Sequence, residues 1–270
     1  MIHPTAIVHP HARLHGSVRV GPYAVIDEGV ELGPGCIVGT HVYLTGQTKI
    51  GANNHFFAGC VIGEAPQDLK YRNEPTGLRI GDENVFREHV TVHRSNKVEE
   101  NTMIGSRNFL MQHSHVAHNV TMGDQVILAG GALLAGHVNV AERAFISGNC
   151  LVHQFVSLGQ LSLMQGGSAI SKDLPPFTVA RGDNRICGLN TIGLRRAGIG
   201  AAERLELKQA YHTLFREGLN LRDALTAARN RFSSPSARIL LDFLANSKRG
   251  VCPDYSQRRE ADEDEEHTSL

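Results

Sequence analysis

The sequence is poor in aromatic side chains and has no tryptophan, although 41% of its 270 residues are hydrophobic. Aromatic residues make up 6% of the chain and glycine contributes 28 residues, which favours a fold with a narrow, aliphatic interior. No apolar run reaches the roughly 18 residues that a membrane-spanning helix needs, and the first ten residues lack the features of a signal peptide. The composition therefore predicts a cytoplasmic globular protein with no integral membrane segment.

The organising pattern is an apolar residue at every sixth position. From Ile2 to Ile170, 26 positions in one register of six are apolar, and a small or slim residue stands two positions before most of them. A helix repeats near 3.6 residues and a simple strand near 2, so neither produces this spacing. A short strand whose residues point in, out and in, followed by a turn, does produce it. The sequence therefore predicts a β-solenoid in which each repeat contacts its neighbours.

The hexads resemble those of the hexapeptide-repeat acyltransferases. This resemblance implies three hexads per coil, and thus a triangular prism with left-handed winding. Three of the five cysteines, Cys36, Cys60 and Cys150, stand at the slim inward position. We interpret these three as core residues rather than metal ligands or a disulfide framework, which fits a reducing compartment.

Two polar segments interrupt the hexads. After Ile62 the next positions in register would be Asp68 and Glu74, which cannot face an apolar interior. Residues 63–79 are therefore predicted to form a loop extruded from the solenoid. The segment "HRSNKVEENTM", residues 93–103, is predicted to be a second, smaller excursion.

Helical patterns replace the hexads towards the C-terminus. We assign residues 1–180 to the solenoid domain, whose repeats are predicted to end at "SKDLPPF", and residues 190–250 to a small helical domain. Within it, Asn220 and Ser234-Pro235 are predicted helix caps.

The last segment, residues 251–270, holds seven acidic side chains against two arginines, and we predict a solvated, disordered tail. Without it the chain has five more basic than acidic side chains, which suits an acidic partner but is too few to indicate nucleic-acid binding.

Histidines gather along one edge of the predicted prism. No histidine of the solenoid falls on an inward position, and those at outward or corner positions include His93, His113, His115, His118, His137 and His153. On a coil of three hexads, His118, Gly136 and Gln154 would stack about 4.8 Å apart, and His137 and His153 flank that column. We interpret the column as functional, the alternative being exposed histidines without a role. His113 is predicted to be a bystander.

Outward apolar residues three hexads apart also form continuous files. One file is Phe109, Ile127, Phe145 and Leu163, and the other holds Ile7, Val25, Tyr43, Val61, Leu133 and Leu151. Continuous apolar files on a flat face predict a partner, and identical prisms packed around a closed axis would bury them. We predict a homotrimer with the histidine edge near a subunit boundary.

Several motifs carry a more specific resemblance. In chain order they are "GEAPQDLKY", "HVAHN", "LAGHV", "VHQF", "DLPPF" and "NTIGLRRAG". Together with the hexads they resemble the UDP-N-acetylglucosamine acyltransferase family over residues 1 to about 250. The resemblance implies transfer of a (R)-3-hydroxyacyl chain from acyl carrier protein to the sugar 3-hydroxyl, the first step of lipid A biosynthesis, with no metal and no cofactor beyond the acyl thioester.

The resemblance also implies a role for each matching residue. His118 would be the general base, because imidazole accepts a hydroxyl proton near neutral pH, and the Gly136 N–H would stabilise the oxyanion. Gly166 would limit acyl-chain length. Substrate contacts would come from Asp68, Lys70, His115, His137, His153, Gln154, Asn190 and Arg196. Basic residues of the helical domain, Arg195, Arg204 and Lys208, are candidates for docking acyl carrier protein, and ordinary solvated helix faces explain them equally well.

Three positions depart from the pattern that the resemblance implies. Asn119 replaces the aspartate that follows the catalytic histidine in the best-known members, Ile192 replaces a glutamate, and residues 93–103 replace a shorter "HRGT" segment. These departures leave open a 2,3-diamino UDP-sugar as acceptor, which would give an amide product.

Two readings outside acyl transfer also remain. A trimeric zinc carbonic anhydrase on the same solenoid would need three converging ligands, whereas a glycine and a glutamine share the histidine column. A non-catalytic scaffold would leave both the column and "QDLKY" without a role. The acyl-chain length is not fixed by the sequence.

Overall fold

The structure, a computed structural model that describes residues 1–255, is a three-sided prism of parallel strands followed by helices. In most hexads a two-residue strand carries one outward and one inward side chain, and a turn then leads to the next side. Three hexads thus close one coil, as predicted. We call the three sheets the first, second and third faces, and name each edge by the two faces that it joins.

The first face holds β1 (Ile7–Val8), β4 (Val25–Ile26), β7 (Tyr43–Leu44), β10 (Val61–Glu64), β13 (Thr91–His93), β16 (His115–Val116), β19 (Leu133–Leu134), β22 (Leu151–Val152) and β25 (Ala169–Ile170). The second holds β2 (Arg13–Leu14), β5 (Glu31–Leu32), β8 (Gln47–Ile50), β11 (Gly77–Ile80), β14 (Asn101–Ile104), β17 (Thr121–Met122), β20 (Asn139–Val140) and β23 (Ser157–Leu158). The third holds β3 (Arg19–Val20), β6 (Ile37–Val38), β9 (His55–Phe56), β12 (Val85–Phe86), β15 (Phe109–Leu110), β18 (Ile127–Leu128), β21 (Phe145–Ile146), β24 (Leu163–Met164), β26 (Thr178–Ala180) and β27 (Ile186–Leu189).

Strand register confirms the coil of three hexads and shows how the interruptions are accommodated. Ile7 pairs with Val25 and Val25 with Tyr43, each three hexads further along the chain. Val61 pairs with Thr91, five hexads on, and Thr91 with His115, four hexads on. The first insertion (residues 65–76) therefore lies in a coil longer by two hexads, and the second insertion (residues 94–100) in a coil longer by one. Because both coils grow by whole hexads, the register resumes unchanged.

The interior of the prism is aliphatic and tightly filled. Cys36, Cys60 and Cys150 are fully buried free thiols, which confirms their interpretation as core residues. Buried Asn54 and Asn84 also occupy the slim position, and the Asn54 side-chain oxygen accepts a hydrogen bond from the Asn84 amide nitrogen at 2.9 Å. Such pairing stabilises polar groups that would otherwise be buried without partners.

The corners of the prism are made by residues in the left-handed region of backbone space. Half a hexad after an inward aliphatic, φ is positive at His113 (57°), Asn119 (57°) and His137 (61°), among many others. A non-glycine residue adopts this conformation at some cost, and short polar side chains tolerate it best.

The three faces differ in their outward side chains. The outward files of the first and third faces are largely apolar. The second face presents Arg13, Glu31, Lys49, Arg79, Met103, Thr121, Asn139 and Ser157. Two adjacent apolar faces and one polar face are what a prism needs if it packs against copies of itself on two sides.

The third face continues past the predicted end of the repeats. β26 pairs in parallel with β24, so that Leu163 lies opposite Val179, slightly less than three hexads on. The prediction that "SKDLPPF" ends the solenoid is therefore wrong for this face. Pro175 and Pro176 cannot donate backbone hydrogen bonds, yet the apolar Val179 and Ala180 rejoin the sheet beyond them.

The C-terminal part contains α1 (Thr191–Arg196), α2 (Ala201–Phe215), α3 (Leu221–Arg231) and α4 (Pro235–Asn246). Asn220 caps α3 and Ser234 caps α4 with Pro235 in its first turn, as predicted. Within residues 1–255, no helix combines the length and the apolarity that crossing a bilayer requires.

The predicted tail begins too early. Val251 bridges Asp173, and Asp254 is buried, accepting hydrogen bonds from the Tyr211 hydroxyl and the Arg216 guanidinium. These contacts fix residues 251–255 against the last coil, because a buried carboxylate needs such partners. The remainder of the predicted tail, residues 256–270, lies outside the described residues.

Candidate active site

An open cavity of about 790 Å³ lies along the first face and reaches the first–second edge. Its polar lining comes from Gln67, His93, His115, His118, Gly136, His153, Gln154, Ser171, Asp183 and Asn184. Its apolar lining includes Leu133, Leu151 and Ala169, which form the outward file of the first face. A hydrocarbon and a polar ligand can therefore both be accommodated along one continuous surface.

His118 and Gly136 are in direct contact on successive coils. A Cβ atom added to Gly136 would lie 2.7 Å from Cε1 of His118, so the imidazole rests on the glycine backbone. The N–H of His137 donates to the carbonyl of His118 at 3.0 Å, whereas the N–H of Gly136 has no acceptor among residues 1–255. That N–H is free to bind a ligand oxygen beside the imidazole.

The hydrogen bonds around Asn119 determine which ring nitrogen of His118 carries a proton. The Asn119 Oδ1 accepts from the Asn96 backbone N–H at 3.0 Å, and the Asn119 Nδ2 donates to a Glu100 carboxylate oxygen at 2.6 Å. Because an N–H can only donate and a carboxylate only accept, the amide orientation is fixed. Asn119 Oδ1 also lies 2.9 Å from Nδ1 of His118, so Nδ1 donates and Nε2 is left as a proton acceptor.

His115 and His93 occupy the covered part of the cavity. Nδ1 of His115 lies 2.7 Å from the Thr91 hydroxyl, and burial, reinforced by His93 and His118, lowers the pKa of His115 to about 4. His93 is 5% exposed, and burial also lowers its pKa. Its ring meets that of His115 edge to face at 4.8 Å, and its Nδ1 has no partner in the described part of the chain. Both rings are thus neutral polar groups at neutral pH.

Sequence reasoning assigned His93 no individual role. The available signal was its outward position at the start of an insertion. The hydrogen bonds of Asn96 and Glu100 to Asn119 were also missed, because no periodicity fixes the path of the second insertion.

The remaining residues predicted on the histidine column lie along the same edge. His137 stacks on Phe155 at 4.6 Å and meets His118 edge to face at 5.2 Å. Burial, followed by the effects of His118 and Lys97, lowers the pKa of His137. His153 and Gln154 are exposed at the next coil. The structure thus brings together His118, Gly136, His137 and their neighbours one coil further on.

The first insertion carries Asp68 to the same edge. One carboxylate oxygen of Asp68 accepts from the Lys70 N–H at 2.9 Å, and the other accepts from the Asn96 side-chain amide at 2.7 Å. These two bonds lower the pKa of Asp68, so the carboxylate is charged at neutral pH. Lys70 is exposed and does not line the cavity.

Three predicted site residues lie at other edges of the same chain. Asn190 accepts from the Gly193 N–H at 2.9 Å as the cap of α1, and donates to the Leu161 carbonyl at the second–third edge, also at 2.9 Å. Arg196 is exposed in the last turn of that helix. Gly166 lies at the third–first edge, where an added Cβ would meet only the Gly148 carbonyl oxygen, at 3.5 Å. One chain does not bring these residues to His118.

His113 also lies at the third–first edge. It stacks on His89 with ring centroids 5.2 Å apart, and it does not line the cavity.

The zinc-hydrase reading requires three converging ligands. Among residues 1–255, the group of three side chains close enough to share a metal ion is His9, His11 and Glu28, in the first two coils and outside the cavity. Within the described residues, the histidine edge does not contribute such a group of three.

Comparison with known proteins gives matches at both ends of the chain and along its length. A model described as bacterial transferase hexapeptide (six repeats) matches residues 11–46, and one described as UDP N-acetylglucosamine O-acyltransferase, domain 2, matches residues 173–252. The chain is 44% identical to the acyl-[acyl-carrier-protein]–UDP-N-acetylglucosamine O-acyltransferase of Syntrophobacter fumaroxidans, and 44% identical to that of Saccharophagus degradans. Each comparison covers 93% of this chain and 98% of the relative.

A solved structure shows the same architecture. The UDP-N-acetylglucosamine acyltransferase of Bacteroides fragilis superposes with a TM-score of 0.89 at 36% identity, covering 93% of this chain and 99% of that one. The similarity therefore extends over the prism and the C-terminal helices together.

Proposed function

The chain belongs to the UDP-N-acetylglucosamine acyltransferase family, and we propose that it moves a (R)-3-hydroxyacyl chain from acyl carrier protein to the 3-hydroxyl of UDP-N-acetylglucosamine. The fold is the left-handed parallel β-helix of that family with a few C-terminal helices, as the resemblance implied. The reaction is the first step of lipid A biosynthesis. The observation that carries the proposal is the position of the His118 ring, protonated at Nδ1, beside Gly136, whose N–H has no acceptor among residues 1–255.

His118 supplies the proton transfers. Nε2 of the neutral ring removes the proton of the sugar hydroxyl as its oxygen attacks the thioester carbon. The electron pair of the carbonyl moves to oxygen, where the Gly136 N–H stabilises the negative charge. When the tetrahedral intermediate collapses, the C–S bond breaks and the thiolate of the carrier protein takes the proton back from His118. The product is an ester, and we propose that the transfer needs no cofactor other than the acyl thioester.

The neutral histidines and the first insertion are suited to hold the sugar. His115 is uncharged at neutral pH and can bind a hydroxyl without introducing a buried charge. Asp68 is charged and fixed by two hydrogen bonds, so it can accept from a sugar hydroxyl. We assign Lys70, His137, His153 and Gln154 to further substrate contacts around this position.

The distribution of residues over three edges supports a trimer with shared active sites. If the apolar first face of one copy packs on the apolar third face of the next, the third–first edges gather at the axis. The outer border of the first face carries His118, and the outer border of the third face carries Asn190 and Arg196. This packing brings those residues of neighbouring copies together, and a guanidinium there suits the nucleotide diphosphate.

The same packing gives Gly166 a role in chain-length selection. An acyl chain that starts at Gly136 would cross the apolar first face towards the axis, where the third–first edge carries Gly166. The glycine leaves space there that a larger side chain would fill.

A basic cavity on the helical part supports docking of acyl carrier protein. Its volume is about 300 Å³, and its lining includes Arg195, Arg204, Lys208 and Arg216 over the apolar Leu189 and Leu194. The three cations proposed from the sequence therefore converge on one surface, which suits an acidic partner.

Four of the five free thiols are buried, which fits the reducing cytoplasm.

The test is acyl transfer from (R)-3-hydroxymyristoyl-acyl carrier protein to UDP-N-acetylglucosamine in the presence of EDTA. We expect turnover by the wild type, loss of at least a hundredfold in His118→Ala, and little change in the matched control His113→Ala, which alters a histidine outside the cavity. Transfer to a 2,3-diamino UDP-sugar but not to UDP-N-acetylglucosamine would overturn the proposed acceptor. Equal turnover by the wild type and His118→Ala would overturn the proposed base.

A further inference from the structure

The second insertion forms a continuous hydrogen-bonded connection to the proposed base. Nδ1 of His118 is bonded to Oδ1 of Asn119, and Nδ2 of Asn119 is bonded to a Glu100 carboxylate oxygen at 2.6 Å. The other Glu100 oxygen lies 2.7 Å from the ammonium of Lys97. A carboxylate is therefore linked to the imidazole through one side-chain amide.

The amide at the centre of this connection is held on every polar atom. Its Oδ1 accepts from the Asn96 N–H, its Nδ2 also donates to the Ser95 hydroxyl at 2.8 Å, and its backbone N–H donates to Thr102 at 2.8 Å. Asn119 is 8% exposed, so these bonds are shielded from competing water. A buried side-chain amide whose oxygen and nitrogen are both satisfied has one preferred arrangement, which fixes its orientation.

Glu100 is charged at neutral pH. The hydrogen bond from Lys97, and then that from Asn119, lower its pKa. An ionised acceptor strengthens the hydrogen bond that it receives, and a polarised amide becomes a better acceptor at its own oxygen. Negative charge on Glu100 is thus transmitted to Oδ1 of Asn119, the atom that faces His118.

We propose that Glu100 is a positioning residue for acyl transfer, whose carboxylate acts through the Asn119 amide to hold the reactive tautomer of His118 and to stabilise the imidazolium that forms during the reaction. This inference rests on the proposed function, because it assigns a partner to the proposed base. It explains why residue 119 is an amide. An aspartate there would place two carboxylates about one hydrogen bond apart, which disfavours the charged state of both.

The test is a swap of carboxylate and amide between the two positions in the full-length protein. Four proteins are compared, namely the wild type, Glu100→Gln, Asn119→Asp and the double variant. For each we would measure kcat, the KM of both substrates and the midpoint of thermal unfolding. The matched control is Glu99→Gln, which removes the same charge from the neighbouring exposed residue.

Glu100→Gln is expected to lower kcat by about tenfold with little change in KM, as for loss of a charged partner behind a functional histidine. Asn119→Asp alone is expected to lower kcat to a similar extent because of the facing carboxylates. The double variant is expected to recover to within about threefold of the wild type, since a carboxylate then contacts His118 directly and an amide faces it. Glu99→Gln should leave kcat unchanged.

A kcat for Glu100→Gln equal to that of the wild type would overturn the inference. So would a double variant whose loss equals the product of the two single losses, since independent sites combine in that way. A merely structural role for the loop would lower kcat and the unfolding midpoint together, whereas the proposed role lowers kcat in Glu100→Gln while the midpoint stays near that of the wild type. If the wild type turns over and His118→Ala does not, the proposed function stands even when the Glu100 result fails.

Discussion

The uninterrupted coils of residues 105–170 and the two insertions contribute to the site in different ways. In the coils, strand pairing places residues three hexads apart in contact, so His118 lies on Gly136 without any dedicated interaction. In the insertions, Asp68, Asn96 and Glu100 reach the site through individual hydrogen bonds. The coils thus set where the proposed reacting groups stand, and the second insertion orients the Asn119 amide that determines the tautomer of His118.

The two regions also differ in what holds them. The inward residues of the coils are almost completely buried, whereas the first insertion carries Leu69 with 97% of its surface exposed. Burial of aliphatic side chains is the main source of folding stability. We therefore expect changes of inward side chains in the coils to affect stability first, and changes in the insertions to affect turnover or substrate binding.

The largest expected effect is on folding. Leu128→Ala removes a fully buried side chain on the third face, away from the cavity, and should lower the free energy of unfolding by about 3 kcal/mol. The matched control, Leu69→Ala in the first insertion, should change it by less than about 0.5 kcal/mol. Urea unfolding followed by circular dichroism measures both. Equal losses of unfolding free energy in the two variants would contradict the proposed difference in stability between the coils and the insertions.

The next effect is on chemistry within the coils. In Gly136→Ala the new methyl group would lie 2.7 Å from the His118 ring and displace it, so kcat should fall by about a hundredfold while the unfolding midpoint stays near that of the wild type. Gly16→Ala is the control, because a Cβ there meets nothing within 4 Å. Steady-state kinetics on both proteins checks this. An unchanged kcat in Gly136→Ala would contradict the contact geometry.

A smaller effect concerns pH, at the point where a coil lies beside an insertion. The folded-state pKa of His115, about 4, is below the ordinary value near 6.5, so the unfolded chain takes up a proton first as the pH falls. Stability should decrease between about pH 6.5 and pH 4, by roughly 1 kcal/mol at pH 5 for this partly exposed ring. His115→Gln should show a smaller loss between pH 7 and pH 5. The same loss in both proteins would rule out this origin.

The smallest expected effect is on the KM for the UDP-sugar, and it tests whether the Asn96 side chain serves Asp68 rather than Asn119. Asn96→Ala keeps the backbone N–H that reaches Asn119 and removes the side-chain bond to Asp68. The KM for the UDP-sugar should rise by about threefold with kcat nearly unchanged, in line with the loss of one hydrogen bond at a partly exposed site. Initial-rate measurements with varied UDP-sugar would check it. A fall in kcat without a rise in KM would place Asn96 with Glu100 instead.

The period of six predicted the solenoid, and it stayed readable across the insertions because the two longer coils add whole hexads. The coil of three hexads, which the resemblance implied, then predicted that His118 and Gly136 are neighbours. The sequence did not predict the Glu100–Asn119–His118 connection, since the course of residues 94–100 depends on tertiary hydrogen bonds rather than on periodicity. The sequence showed that Asn119 departs from the family pattern, but its hydrogen bond to Glu100 became visible only in the structure.

The sequence pattern also did not predict which polar side chains are held by residues distant in the chain. Asp254 belongs to the segment 251–270, whose acidic excess is typical of a solvated tail, and only the fold brings the hydroxyl of Tyr211 and the guanidinium of Arg216 to it. Asn190 was predicted as a ligand residue, and the structure shows both ends of its amide engaged in capping α1 and binding Leu161. Its role towards substrate stays a prediction that depends on a neighbouring copy.

The left-handed backbone conformation at the corners restricts which residue types occur along the edges of the prism. In the described part of the chain, 17 non-glycine residues have positive φ, and nine of them are asparagine or histidine. These residue types are enriched there because their short polar side chains suit that backbone shape. They are also the types that move protons and orient hydroxyl groups. A scaffold of this kind therefore supplies chemically useful side chains at its edges for conformational reasons alone, before any selection for catalysis acts on them.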